Sequence, residues 1–279
     1  MPRIDEARAF GRVLKAEFVK QHRNYFQSKM IYFSMLVWPA LSFAAAYNMY
    51  RPFIASPELA RRLVPNGDTR AVALFILTGY LGYTFFWSLV QSAWQFSWER
   101  FHGTLEGLFL TPASRLGFLL GNGLAALIES VWLFFVFAVG VLAVLGRLTA
   151  VPLWSYLLAL IGLALPAVGW GTLLNSIFIF SRDSGFLYTI LDEPMGFFAG
   201  VRVPTAVFPL WARFIGFIFP LTFSLRVVRG LLLGTTGLAT GLLQIGGLTL
   251  LAAALIAVAA ILVRSGEAHA KRTGSLTLF

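Results

Sequence analysis

Apolar residues along this chain gather into runs of membrane length, separated by short polar stretches. The hydrocarbon core of a bilayer is about 30 Å thick and takes about 20 residues of helix to cross. Runs at 31–50, 71–94, 116–145, 153–180 and 241–263 meet that length, and the last, GLLQIGGLTLLAAALIAVAAILV, carries no charge. The runs 116–145 and 153–180 are long enough to tilt or overhang. Between the fourth run and the last the pattern breaks. FLYTILDEPMGFFAGV (186–201) is short, holds two acids and is interrupted by Pro194, Gly196 and Gly200. The following 204–234 is apolar but cut by Pro209, Pro220 and several arginines. Irregular backbone at membrane depth survives only where protein or a water-filled cavity satisfies its polar groups. The pattern therefore predicts 186–201 as a fifth span and 204–234 as re-entrant helices that dip in without crossing. The expected fold is an all-α integral membrane domain covering 1–279, with six transmembrane helices and both termini on one side.

The first 29 residues follow a different period. Ile4, Phe10, Val13, Leu14 and Phe18 recur at helical spacing, while Arg8, Arg12 and Lys15 lie largely elsewhere on the wheel. That is the pattern of an amphipathic helix lying on a membrane surface. The segment contains acids and has no continuous apolar core, so it does not read as a secretory signal.

Composition strengthens the membrane assignment. Hydrophobic residues make up 58% of the 279 and charged ones 12%, about half the share usual in a soluble domain. No cysteine is present, which excludes disulfides and thiolate metal sites. The net charge of +10 sits beside apolar runs, where it suits anionic headgroups and topology control. Membrane lipids are thus expected partners and nucleic acid is not. Of the 22 lysines and arginines, thirteen fall on the side of the termini and nine on the other, the excess coming from residues 1–29. The positive-inside rule then expects cytoplasmic termini in a multi-pass protein of the cell (inner) membrane. Aromatic residues reach 15%, and Trp38, Trp87, Trp94, Trp98, Trp154 and Trp211 mostly fall near span ends, as interfacial belts require.

One loop between two apolar runs is both charged and patterned. SWERFHGTLEGLFLTPASR (97–115) follows the second run. Gly103 permits a sharp turn, Thr104 can cap a helix start, and Glu106 stands in its first turn, where a carboxylate is favoured. Leu105, Leu108 and Phe109 then form a small apolar face. Thr111-Pro112 is a second start signal, with Thr as cap and Pro at the first helical position. A short helix bracketed by turns on the cytoplasmic face is suited to docking another protein.

ERFHGTLEGLFLTPASRLGFLLG resembles the signature loop of ABC-2 type permeases, the membrane subunits of a large class of ATP-driven exporters. Glu99, Gly103, Thr104, Leu105, Glu106, Thr111 and Pro112 match the family pattern. The stretch from Glu193-Pro194 through Gly200, Pro204, Pro209-Leu210-Trp211, Pro220-Leu221-Thr222 and Arg229 looks like the fifth span and re-entrant helices of that family. The resemblance covers nearly the whole chain. It implies a coupling loop at 97–112, with Glu99, Arg100, Gly103, Thr104, Leu105, Glu106, Leu108, Thr111 and Pro112 docking an ATPase. It further implies two ATPase subunits and a second permease, either identical or related. The chain has no G-x-x-x-x-G-K-S/T phosphate loop, so ATP and Mg belong on the partner and no cofactor is expected here.

Charge at membrane depth supplies the remaining candidates. Glu129 lies near the middle of the third span, and Asp192 and Glu193 about halfway along the fifth. An ionised group there costs at least about 2.5–3.5 kcal/mol, so it normally faces protein or water. These acids, with Phe197 and Phe198, are candidates for a substrate pathway; the alternative is that Glu129 bonds a neighbouring helix and Glu193 caps the break at Pro194. Pro209, Trp211, Pro220 and Arg229 mark the re-entrant helices. Enzyme chemistry lacks its parts. His22, His102 and His269 lie outside the spans and make no metal set, and adjacent residues such as Asp192 and Glu193 diverge by about 100° on a helix. The expected function is export of a lipid, hydrophobic drug-like or other amphiphilic substrate. A lipid-linked glycan is the alternative cargo, as in polysaccharide export, and an ion-coupled carrier using Glu129, Asp192 and Glu193 is the alternative mechanism.

Overall fold

The computed structural model describes residues 2–25, 29–54, 58, 69–101, 111, 114–144, 151–178 and 184–273. These form helices and no strand: α1 (Pro2–Tyr25), α2 (Lys29–Ile54), α3 (Thr69–Phe101), α4 (Arg115–Val144), α5 (Leu153–Phe178), α6 (Ser184–Phe198), α7 (Leu210–Ile218), α8 (Pro220–Leu232) and α9 (Leu238–Thr273), with a 3-10 turn at Thr205–Val207. Four stretches are long and apolar enough to cross a membrane: Ala71–Val90, Arg115–Val136, Leu153–Phe178 and Leu238–Ala268. The count rises to five if α7 and α8, bent by 93°, form one broken span. By length and composition this is a multi-pass membrane protein. The expected fifth span, 186–201, corresponds to α6 and is not among these stretches. α6 has 15 residues and stops at Phe198, a rise of about 22 Å.

α5 is the hub, packing against α9, α3, α8 and α4. Lipid tails are as apolar as leucine, so helices associate there through close packing rather than through burial from water. Small residues make the close approaches. A Cβ on Gly169 would lie 3.0 Å from both the Cα and the carbonyl oxygen of Ala252 in α9. One on Gly171 would lie 3.0 Å from the Leu89 side chain in α3. Phe85, Phe86, Leu89, Leu163 and Leu174 fill the space between, all essentially inaccessible.

α1 packs along the start of α4. Its Phe10 lies over Gly117, and its Leu14 carbonyl and Glu17 lie over Gly121, where a Cβ would meet them at 2.9–3.4 Å. The apolar positions Phe10 and Leu14 thus face protein, and the outward positions include Arg8, Arg12, Lys15 and Arg23. Glu17 is buried but matched, accepting from Gln21 at 2.9 Å and pairing with Lys20 at 2.8 Å. Arg115 at the start of α4 pairs with Glu267 near the end of α9 at 3.7 Å. The start of α4, α1 and the end of α9 therefore gather at one end of the bundle.

Candidate functional site

The other end of α3 meets the irregular part of the chain. Gly79 and Gly82 let it do so. A Cβ on Gly79 would fall 2.0 Å from the Val201 carbonyl oxygen, and one on Gly82 would meet the Leu225 and Leu221 side chains at 2.5 and 3.2 Å. α6 ends in a turn at Gly200, whose φ of +85° suits glycine. The chain then passes through the 3-10 turn into α7, which packs against the end of α6. A Cβ on Gly216 would lie 2.5 Å from the Phe198 carbonyl oxygen. At Phe219 the chain bends sharply into α8, with Pro220 at the first position, where its missing N–H costs nothing. Phe219 is buried edge-to-face on Trp170 of α5, ring centroids 6.0 Å apart, and this fixes the corner.

Arg229 of α8 closes the assembly. Its Nε donates to Thr78 Oγ1 at 3.3 Å, and its Nη2 donates to the carbonyls of Phe75 and Val201, both at 3.2 Å. The guanidinium carbon lies 3.6 Å from the Phe75 ring centroid, a cation–π contact. One side chain therefore ties α8 to α3 and to the turn after α6.

Asp192 and Glu193 separate as adjacent helix positions must. Asp192 is 5% exposed, and Tyr83 of α3 donates to its Oδ2 at 3.0 Å. Its Oδ1 is buried and has no partner among the described residues. Gly196, one turn on, lies against the Tyr83 ring. Glu193 faces outward. A carboxyl with one oxygen held and the other open is completed by a proton or by a cationic ligand atom. Phe197 is 54% exposed, while Phe198 is tucked between Phe208 and Trp211, its ring centroid 5.9 Å from that of Trp211. Trp211 and Pro209 at the start of α7 are exposed.

A second polar seam runs between α3, α4 and α5. Ser88 and Ser130 share a short hydroxyl contact, Asn122 donates to the Ser92 carbonyl at 3.0 Å, and Asn175 donates to that of Leu119 at 3.4 Å. Beside it, Phe43, Leu77, Tyr80, Leu81, Thr84, Phe85, Ser130 and Leu133 line a narrow, partly open apolar cleft. Glu129 precedes Ser130 on α4, and its side chain lies outside the described residues.

The segment expected to dock a partner falls largely outside them as well. Glu99 and Arg100 lie in the last turn of α3. Gly103, Thr104, Leu105, Glu106, Leu108 and Pro112 are outside the described residues. Thr111 is exposed, and its carbonyl accepts from Arg115 Nη1 at 2.9 Å.

Sequence reading missed Tyr83, Thr78 and Phe75 as partners of the candidate residues. A signal was present in the two glycines three apart in an apolar run, since small residues in a membrane helix mark close approach. No protein-family model matches the chain, and no curated protein matches it.

Proposed function

We propose that this chain is the permease subunit of an ATP-driven exporter of the ABC-2 type. It moves a lipid, hydrophobic drug-like or other amphiphilic substrate out of the cytoplasm or inner leaflet by alternating access. Two copies of a separate P-loop ATPase bind ATP and Mg and dock on 97–112, and a second permease, identical or related, completes the transporter. In this reading α2, α3, α4, α5, α6 and α9 are the six spans, α7 and α8 re-enter the membrane, and both termini are cytoplasmic. The observation that carries it is the sequence GTLEGLFLTP between α3 and α4, whose cap and restart signals a plain connector does not need. α4, which starts three positions after it, is tied to α9 by Arg115 and packs on α1 at Gly117 and Gly121, so a force applied at the loop reaches three helices.

The test is purification of the detergent-solubilised chain from its native membrane, with an ATPase assay on what accompanies it. A P-loop subunit in about equal amount, lost when 99–112 is altered, is the expected result. A chain that purifies alone and is inert to ATP would sink the proposal. It would shift the weight to an ion-coupled carrier, which the open Asp192 oxygen favours, with Glu129 and Glu193 as further candidate groups.

A further inference from the structure

Arg229 of α8 bonds the carbonyl of Val201, the residue before Arg202, and neither arginine makes an ion pair with a described carboxylate. Arg229 spends Nε and Nη2 on neutral acceptors, one of them the Val201 carbonyl, and its Nη1 has no acceptor among the described residues. Arg202 is the next residue after Val201. Its guanidinium lies 5.1 Å from the Phe197 ring centroid, a cation–π contact. Tyr50 packs with Phe75, the ring beneath Arg229, and Tyr80 joins the same cluster. Two guanidiniums on neighbouring elements, neither ion-paired with a carboxylate among the described residues, suit an anion. The planar fork of arginine matches phosphate oxygens in pairs, and basic pockets between membrane helices recognise lipid headgroups.

The surroundings select the source of that phosphate. Phe75 stands 26 positions from Phe101 on α3, about 39 Å along the axis, which places the cluster at the far end of the bundle from the docking loop. From Phe197, beside Arg202, the exposed apolar residues Ile190 and Phe186 continue back along α6, with Glu193 and Thr189 exposed among them. The three apolar positions are separated by whole turns and cover about 16 Å. A free anion has no use for such a track, whereas the hydrocarbon chain of an amphiphile does.

We propose that Arg202 and Arg229 form a phosphate-headgroup site, and that the amphiphile carried by this protein bears a phosphate, its chains lying along the outer face of α6. The transport half of this inference rests on the exporter reading, whereas binding does not.

The test uses the full chain purified in detergent, with native mass spectrometry to count retained lipid. The probes are phosphatidic acid and a diacylglycerol with the same chains, which differ only in the phosphate. The expected result is preferential retention of phosphatidic acid by about tenfold or more, lost in Arg202→Gln and kept in Arg264→Gln, an exposed position on α9. Arg202 is the informative position because Arg229 also holds three elements together, and its loss endangers folding. Equal retention of both probes, or an unchanged preference in Arg202→Gln, overturns the site. Displacement of the lipid by inorganic phosphate at matching concentration overturns the lipid source. A chain that shows the Arg202-dependent preference but recruits no ATPase keeps the site and loses the exporter reading.

Discussion

At the residue scale, function concentrates on side chains whose bonding is incomplete. Asp192 has one oxygen on Tyr83 and the other without a partner among the described residues, so that oxygen is available to a ligand. Asp192→Asn keeps the shape and the Tyr83 contact while removing the charge. Binding of a cationic amphiphile should weaken about tenfold relative to a neutral analogue of the same skeleton. An equal effect on both would assign Asp192 a structural role. Gly79 and Gly82 offer a paired stability test. Gly79→Ala drives a Cβ into the backbone oxygen of Val201, which is part of the Arg229 node, whereas Gly82→Ala meets only leucine side chains that can rotate. The first should cost about 1–3 kcal/mol or more and the second distinctly less, read as melting midpoints in one detergent. A larger loss for Gly82→Ala would contradict the packing described here.

At the element scale, the segment between α3 and α4 and the α7–α8 corner play opposite roles. The corner is fixed from within, by Phe219 on Trp170 and by Arg229 on α3. The loop's sequence offers a cap signal, a carboxylate and a set of apolar residues, which in the proposed function serve a partner. Glu106→Ala and Gly103→Pro should therefore leave membrane insertion intact while uncoupling substrate-stimulated ATP hydrolysis in the reconstituted complex. Unchanged stimulation in both variants would remove 97–112 from the docking role. α1 belongs with this end of the molecule. It grips α4 through Phe10 and Glu17 against Gly117 and Gly121, so a movement of α4 carries it along.

For the whole molecule, the open question is how many times the chain crosses. Four helices have the length and apolarity, five if the bent pair counts once, and six requires α2 and the 15-residue α6 as well. Because the chain has no cysteine, single introduced thiols report topology without background. In the six-span plan, Ser28→Cys, Ser181→Cys and Ser275→Cys react with a membrane-impermeant reagent only from the cytoplasmic side. Ser56→Cys, Thr205→Cys and Thr235→Cys then react only from outside. Labelling of Ser181→Cys and Thr205→Cys from the same side would show that α6 does not cross.

Much of the architecture was legible before any coordinates. Apolar runs predicted the long helices α2, α3, α4, α5 and α9 to within a few residues at most ends, because helix length in a bilayer is set by its thickness and written as an unbroken apolar count. The breaks at Pro209 and Pro220 likewise foretold short helices, since proline removes a donor wherever it stands. The divergence of Asp192 and Glu193 followed from helical geometry alone. Sequence did not reveal which of the two turns inward, nor that its partner is Tyr83, 109 positions away. Nor did it reveal that Arg229 is stacked on Phe75 and bonded across to Val201. Those choices belong to the tertiary structure for a physical reason. Local periodicity ranks faces by apolarity, and in a membrane both the lipid-facing and the protein-facing sides are apolar. Only the close approach of particular helices, permitted at Gly79, Gly169 and Gly216, decides which polar atoms find each other and which are left open for a ligand.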